Sequence, residues 1–458
     1  MVQDLRSFLE KFEQLFPREV LRIDRELNPE YEPSAVIMEL ERDRRYPVVF
    51  FENIRGSAFP VVANVLATRQ RLALALGARP ENAAEVFAER IKSAVPPQRI
   101  PEAPFQKNRL DGAALNLSTF PILTHFPVDA GPYVTAGLVM ARDPESGVDT
   151  CGYHRMQLKG ADKLGVSLHS RQRLWEYLRR AEQAGRNLEA AVVIGVHPAL
   201  ALGSMALIPY DQGKFDRIGG LLGAPLQVTP CRDIDLDVPT GAEIVIEGEI
   251  LANCHEPEGP FAEFTDYASY RSTENVFRAK SIHYRDQALY QSITPARSAD
   301  HVTIVAVHRE GELRRALHQT LPNVRQVHAP LSACGLFHCY LALEKTAEGQ
   351  PMQAILAALA VDHNIKLVIV VDADIDVFDE ARVLWAVATR VQADRDVLII
   401  PQHQGMGCTL DPSSDDLSRS AKMGIDATKP LSGFARGIDP DPAAQAKARQ
   451  LLQEIGTS

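Results

Sequence analysis

Residues His255 to Tyr270 read HEPEGPFAEFTDYASY. Glu258 and Glu263 stand on either side of Gly259-Pro260-Phe261, with Glu256 just before them. A Gly-Pro-Phe step resists helix and predicts a turn or an irregular strand end. Two carboxylates flanking such a turn can be aimed into one cavity, and the apolar Phe261 between them raises the cost of ionising either. That combination prepares a group to hold and release a proton near neutral pH. Taken alone, the same residues also suit a solvated acidic turn.

Outward from this stretch, the chain runs to 458 residues, more than a single core accommodates, so two or three domains are expected. A formal net charge of −10, with no basic cluster, argues against a nucleic-acid partner. The six cysteines show no paired spacing, which fits a reducing compartment and no disulfide framework. Cys334 and Cys339 are closest, but they lack the second pair that a zinc site needs. MVQDLRSFLEKFEQL reads as an amphipathic helix with Leu5, Leu9, Phe12, Leu15 and Phe16 on one face, not as a signal peptide. The longest apolar stretch, Ala190 to Pro209, is interrupted by His197, two prolines and two glycines. It predicts a buried strand and a loop, not a membrane span. A cytoplasmic protein without membrane attachment is expected.

Three regions are expected. Residues 1–110 mix helix with short β-branched runs and end at the Pro-rich VPPQRIPEAP. Residues 111–310 are strand-rich with few helices, which predicts a barrel or a strongly curved sheet. Residues 311–458 alternate strand and helix, with Leu336–Leu343, Met352–Ala360, Ile365–Val371, Asp379–Thr389 and Asp396–Ile400 reading as parallel βαβ units. The fold class is therefore α/β (α+β).

Two further segments carry chemistry. In Asp149-Thr-Cys-Gly-Tyr-His-Arg-Met-Gln, Arg155 is a cation that could pair with buried carboxylates and separate their pKa values; a surface ion pair is the plainer alternative. His154 falls on the opposite face to Arg155 if the segment is extended, which sets it outside the site. Asp372, Asp374 and Asp376 lack the glycine and terminal glutamate of a calcium loop. They suit helix capping near Asp379 and the holding of a strand end.

EPEGPFAEF resembles the glutamate motif of the UbiD family, decarboxylases that use prenylated FMN, where EGPFGE is the usual form. The segment around Arg155 is similar to the family's N-x-G/S-x-x-R. Val371 to Asp379, Leu384 to Arg390, Asp394 to Pro401 and Lys422 to Lys429 resemble its C-terminal half. The resemblance implies a central curved flavin-binding β domain flanked by α/β domains, with a dimerisation role for the last. It implies Glu263 as proton donor, with Glu258 and Arg155 as its partners. It implies Thr150, Gly152, Arg155, Arg173, Ser204, Met205, Lys214 and Lys422 around the flavin, and His301 beside the substrate. The implied partners are a carboxylic acid substrate, a flavin prenyltransferase as cofactor supplier, and further copies of the chain. The family also holds the cofactor phosphate through a divalent metal (manganese or magnesium) bound by Asn, His and Glu. Those positions are Thr150, Arg173 and Lys214 here. Arg173 and Lys214 could supply the metal's charge, His169 and Asp216 could rebuild a metal site, or the chain could be a non-catalytic subunit or a carrier of ordinary flavin. No metal ligand is assigned.

Overall fold

The computed structural model describes residues 3–168, 172–270, 272–407 and 410–455. At its centre is a nine-stranded sheet. Its path runs through Tyr133–Val134, Met156–Leu158, Lys163–Val166, Ser272–Tyr284, Ile244–Glu258, Leu188–Ile194, Leu138–Arg142 and Asp149–Tyr153, with Asn108–Asp111 added on Ser272–Tyr284. Asp149–Tyr153 lies at one end of this path, and Met156–Leu158 stands next to the other end. In a flat sheet, six spacings of about 4.8 Å would hold them about 29 Å apart. The chain from Tyr153 to Met156 reaches at most about 11 Å. The sheet must therefore curl until its ends meet, as the strand-rich pattern predicted. His154 and Arg155 are the residues that cross the seam, and Arg155 O accepts Ser167 N at 3.2 Å there.

The curl is built on the long antiparallel pair Ile244–Glu258 and Ser272–Tyr284, which shifts register after Glu247 and after Ile250. Such irregularities increase local twist and bend the strand. The strand ends at Glu258, so the Gly259-Pro260 step leaves the sheet as the sequence predicted.

The N-terminal helix Leu5–Leu15 buries Leu5, Phe8, Leu9 and Phe12, while Leu15, expected on that face, is exposed. Leu15 lies at the edge of this stripe in the last position of the helix, where the described residues leave it uncovered. Phe8 meets His197 edge-on at 5.5 Å, and Arg6 pairs with buried Glu243 at 2.7 Å, so this helix closes one side of the curled sheet. The segment after Leu188–Ile194, expected as a loop, forms the buried helix Pro198–Ser204. Pro198 sits at its first turn, and His197 Nδ1 caps Ala199 N at 3.2 Å, which is where proline is compatible with helix.

The C-terminal sheet runs Val324–His328, His338–Leu343, Leu367–Asp372, Arg419–Ala427, Val397–Gln404. His338–Leu343 and Leu367–Asp372 pair in parallel across the helix Gln350–Val361, as predicted. The next strand, expected to continue that pattern, is instead an edge strand antiparallel to Arg419–Ala427. The later strand inserts beside Leu367–Asp372, and the more exposed Val397–Gln404 takes the rim. Asp379 caps the helix Glu380–Arg390, and Asp372 accepts from Arg390 at 2.5 Å, the capping and strand-end roles read from the sequence. Residue 310, the expected boundary, falls inside the continuous helix Ala299–Leu317. No described helix is long and apolar enough to cross a membrane.

Candidate active site

Where the seam closes, Arg155 lies between the two glutamates. Its Nε donates to Glu258 Oε1 at 3.1 Å and its Nη2 to Glu258 Oε2 at 3.2 Å, while Nη1 donates to Glu263 Oε1. Glu258 and Glu263 are buried, and the Arg155 side chain is 16% exposed. The guanidinium also lies over the Phe261 ring at 4.9 Å, so the apolar residue of the turn packs on the cation. Burial works against the charge on Arg155, yet Glu263 and Glu258 together hold its pKa above the ordinary value. Burial pushes the Glu263 carboxyl up against the opposing pull of Arg155, with Glu258 adding to the upward push. Glu263 thus favours its proton while the bidentate pair fixes Glu258 and Arg155.

The turn is held from two sides. Asp129 Oδ1 accepts Ala262 N at 2.9 Å, Ala130 N donates to Pro260 O at 2.9 Å, and Ser269 Oγ bonds the Phe261 amide and carbonyl. His301, at the start of Ala299–Leu317, donates from Nδ1 to Ala296 O at 2.9 Å and meets Phe264 edge-on at 6.5 Å. It therefore borders the Glu263 side of the site. Burial pulls its pKa down, so the ring favours neutrality.

A cavity of about 1030 Å³ opens between the curled sheet and the helix Ala299–Leu317. Thr150, Cys151, Gly152, Tyr153 and His154 all line it, so His154 borders the cavity that the sequence reading set it apart from. The expectation that excluded His154 used only its parity with Arg155. Residues of both parities in this segment line the cavity, so parity carried no signal, and the chain leaves the strand at Tyr153 before Arg155 meets the glutamates. His154 Nδ1 is tied to Ser167 O at 2.8 Å. Ser204, Met205, Arg173 and Lys214 line the same cavity. Lys422 does not: it is buried one layer behind, its Nζ donating to the carbonyl of the lining residue His363 at 2.6 Å. Sequence reasoning missed Arg309 and His308, which Ala299–Leu317 brings into the lining. Arg309 pairs with Asp362, and both ring nitrogens of buried His308 lack a hydrogen-bond partner among the described residues.

The cavity suits a large, partly polar ligand: an apolar flank including Val139, Leu174 and Met205, an orphaned imidazole, and a cationic end. A divalent metal does not fit at the three implied positions. Arg173 and Lys214 cannot coordinate one, and Thr150 alone offers a weak neutral oxygen. Asp216 is not among the lining residues, and His169 lies outside the described residues. Elsewhere, Asp233, Glu247 and His283 gather closely. Arg109 and Ser281 already bond Asp233, and the amides of Arg232 and Asp233 bond Glu247, which accounts for the group as a network holding the 231–236 loop.

The N-terminal domain of 3-octaprenyl-4-hydroxybenzoate carboxy-lyase, UbiD, matches residues 16–91, its Rift-related domain residues 98–298 and its C-terminal domain residues 302–427. The chain is 35% identical over 431 residues to anhydromevalonate phosphate decarboxylase of Methanothermobacter thermautotrophicus, covering 93% of this chain and 97% of that protein. It is 30% identical over 461 residues to phenolic acid decarboxylase of Bacillus subtilis, covering 96% and 95%. Its structure is similar to that of the UbiD-class enzyme HmfF from Pelotomaculum thermopropionicum in complex with FMN, with a TM-score of 0.90, 36% identity, and coverage of 96% and 98%. The three matched domains, in order and along nearly the whole chain, make this protein a member of the UbiD family of carboxy-lyases.

Proposed function

We propose that the protein catalyses the reversible, non-oxidative decarboxylation of an aromatic, heteroaromatic or α,β-unsaturated carboxylic acid, with prenylated FMN bound in the cavity. The observation that carries this reading is the buried Arg155, bonded to both Glu258 and Glu263 one residue beyond the cavity-lining His154. Gly152 supports it as well: a Cβ there would stand in the cavity wall, with only His154 Nε2 near it at 3.7 Å. When bound, the flavin supplies an electron sink for the carbon that loses CO2. The chain supplies position and a proton. Arg155 occupies Glu263 Oε1, which leaves Oε2 to carry the proton to the substrate carbon as CO2 departs. In the carboxylating direction, Glu263 removes that proton again. Glu258, locked in its bidentate pair, keeps Arg155 in place without competing for the transfer. His301, neutral and beside Phe264, borders the substrate.

A flavin prenyltransferase is the implied cofactor supplier. The C-terminal region, with exposed Leu384 and Trp385, is the face that this reading assigns to self-association. The rival reading, a non-catalytic flavin carrier, draws on the substituted metal positions, and retention of the complete Glu-Arg-Glu set weighs against it. Proton/deuterium exchange at the reacting carbon of candidate acids, using protein co-produced with a flavin prenyltransferase, tests the reading. Exchange that depends on Glu263 supports it. Flavin-loaded protein with no exchange on any acid tried would favour the carrier.

A further inference from the structure

Of the cations lining the cavity, Arg309, Arg315 and Lys92 have carboxylate partners in Asp362, Glu312 and Glu89. Arg217 has none within ion-pair distance among the described residues but is only half-buried; Arg173 and Lys214 have none either, and both are more than nine-tenths buried. They are held by backbone carbonyls of one loop instead. Lys214 Nζ donates to Ser204 O at 2.7 Å and to Ala206 O. Arg173 donates to Gln212 O at 2.8 Å, to Ile208 O at 2.9 Å and to Pro209 O. The ammonium thus sits by the C-terminal end of Pro198–Ser204, where helix carbonyls lack donors.

Carbonyl oxygens orient a cation but do not neutralise it. Two buried positive charges with no carboxylate in contact are costly in an apolar surround, and the cost is reduced by an anion in the space that both line. Each residue also opens a helix, Arg173–Gln183 and Lys214–Leu222, so two helix N-termini reach the same cavity. Among the described residues no side chain caps Arg173–Gln183, which leaves its first-turn amides for an anion, whereas Asp149 Oδ1 already accepts Phe215 N at 2.8 Å in the first turn of Lys214–Leu222. The cavity-lining His308 adds two unpartnered ring nitrogens.

We propose that Arg173 and Lys214 form a metal-free phosphate site, in which a guanidinium and an ammonium preset by the 204–212 carbonyls bind the flavin's phosphate monoester directly. The proposal rests on the flavin reading above. It turns the loss of the three metal positions into a substitution: fixed side-chain charge stands where a divalent ion would otherwise bridge protein and phosphate. Arg173, with Nη2 committed to two carbonyls, contributes its charge and its remaining hydrogens, and Lys214 a compact point charge with one ammonium hydrogen uncommitted.

The test compares FMN with riboflavin, which lacks the phosphate, by fluorescence titration of the full chain with and without EDTA. Elemental analysis of the FMN-loaded protein accompanies it. FMN should bind on the order of 100-fold more tightly than riboflavin, as a few charge-assisted hydrogen bonds allow, and EDTA should not change the ratio. No stoichiometric divalent metal should be present. Lys214→Met should lower FMN affinity by on the order of 10- to 100-fold and change riboflavin affinity by less than about threefold. Should that variant fail to fold, the wild-type ratio under EDTA decides alone. One equivalent of divalent metal, or FMN binding that collapses with EDTA, would overturn the phosphate site while leaving the flavin reading intact. Failure of both flavins to bind would overturn the two together.

Discussion

Two groups of buried cations lie close together in this protein and are treated in opposite ways. Arg155 is matched inside the chain by Glu258 and Glu263, each reached across more than a hundred residues of sequence. Arg173 and Lys214, lining the neighbouring cavity, are steered by carbonyl oxygens and have no carboxylate at ion-pair distance among the described residues. The first arrangement balances charge within the chain and so keeps a proton poised. The second leaves charge unbalanced, ready for a ligand. The contrast shows that burial of a cation says little about its use until its counter-charge is located.

The largest effect is expected where the balanced group meets the reaction. Glu263→Gln keeps the shape of the side chain but has no proton to transfer, so exchange at the substrate carbon should fall by on the order of 100- to 10,000-fold with an unchanged melting curve. Exchange at the wild-type rate would remove Glu263 from the donor role. Arg155→Ala should lower kcat severely while costing less stability than the roughly 3–5 kcal/mol of a broken buried pair, because the abandoned carboxylates can protonate. Urea denaturation beside steady-state kinetics measures both, and unchanged kinetics would dissolve the three-residue arrangement.

A smaller effect should appear in the pH profile. Glu263 donates only when protonated, and burial raises its pKa, so the donor form persists above the ordinary glutamate range and is lost as pH rises through the raised value. kcat for decarboxylation should therefore decline on the alkaline side. Glu258 contributes to the upward push, so Glu258→Gln should move that decline to lower pH. A limb that stays in place in this variant would mean that another group sets it. The smallest effect concerns the cavity wall. Gly152→Ala adds a methyl group where only His154 Nε2 is near, at 3.7 Å, so thermal stability should hold. FMN affinity should drop by roughly 3- to 10-fold as packed volume is taken from the ligand. An unchanged FMN titration would place the flavin away from this strand.

Much of the molecule was legible in its residues. The helix Arg69–Leu76, the crossover Gln350–Val361 and the exit of the chain at Gly259-Pro260 follow from periodicity and turn chemistry, which act over a few neighbours. The meeting of Arg155 with Glu258 and Glu263 was expected from their motifs. His154 was misjudged because one parity argument was applied across a strand break. Leu15 was misjudged because periodicity does not say where the helix end leaves its packing neighbours. Asp129, which bonds Ala262 N from a distant loop, carried no local signal at all.

By itself the sequence determined the α/β character, the three-region layout expected along the chain, and the residue types available for chemistry, because hydrophobic period and turn residues are local properties. It also showed that cations stand where metal ligands were implied. Only the tertiary structure decided that Tyr153 and Met156 join opposite ends of a curled sheet, that Arg155 turns there towards both glutamates, and that Arg173 and Lys214 meet carbonyls and, among the described residues, no carboxylate. Strand order and the closing of the seam depend on pairings between distant segments, and a side chain's counter-charge is settled only when those pairings bring its neighbours into place.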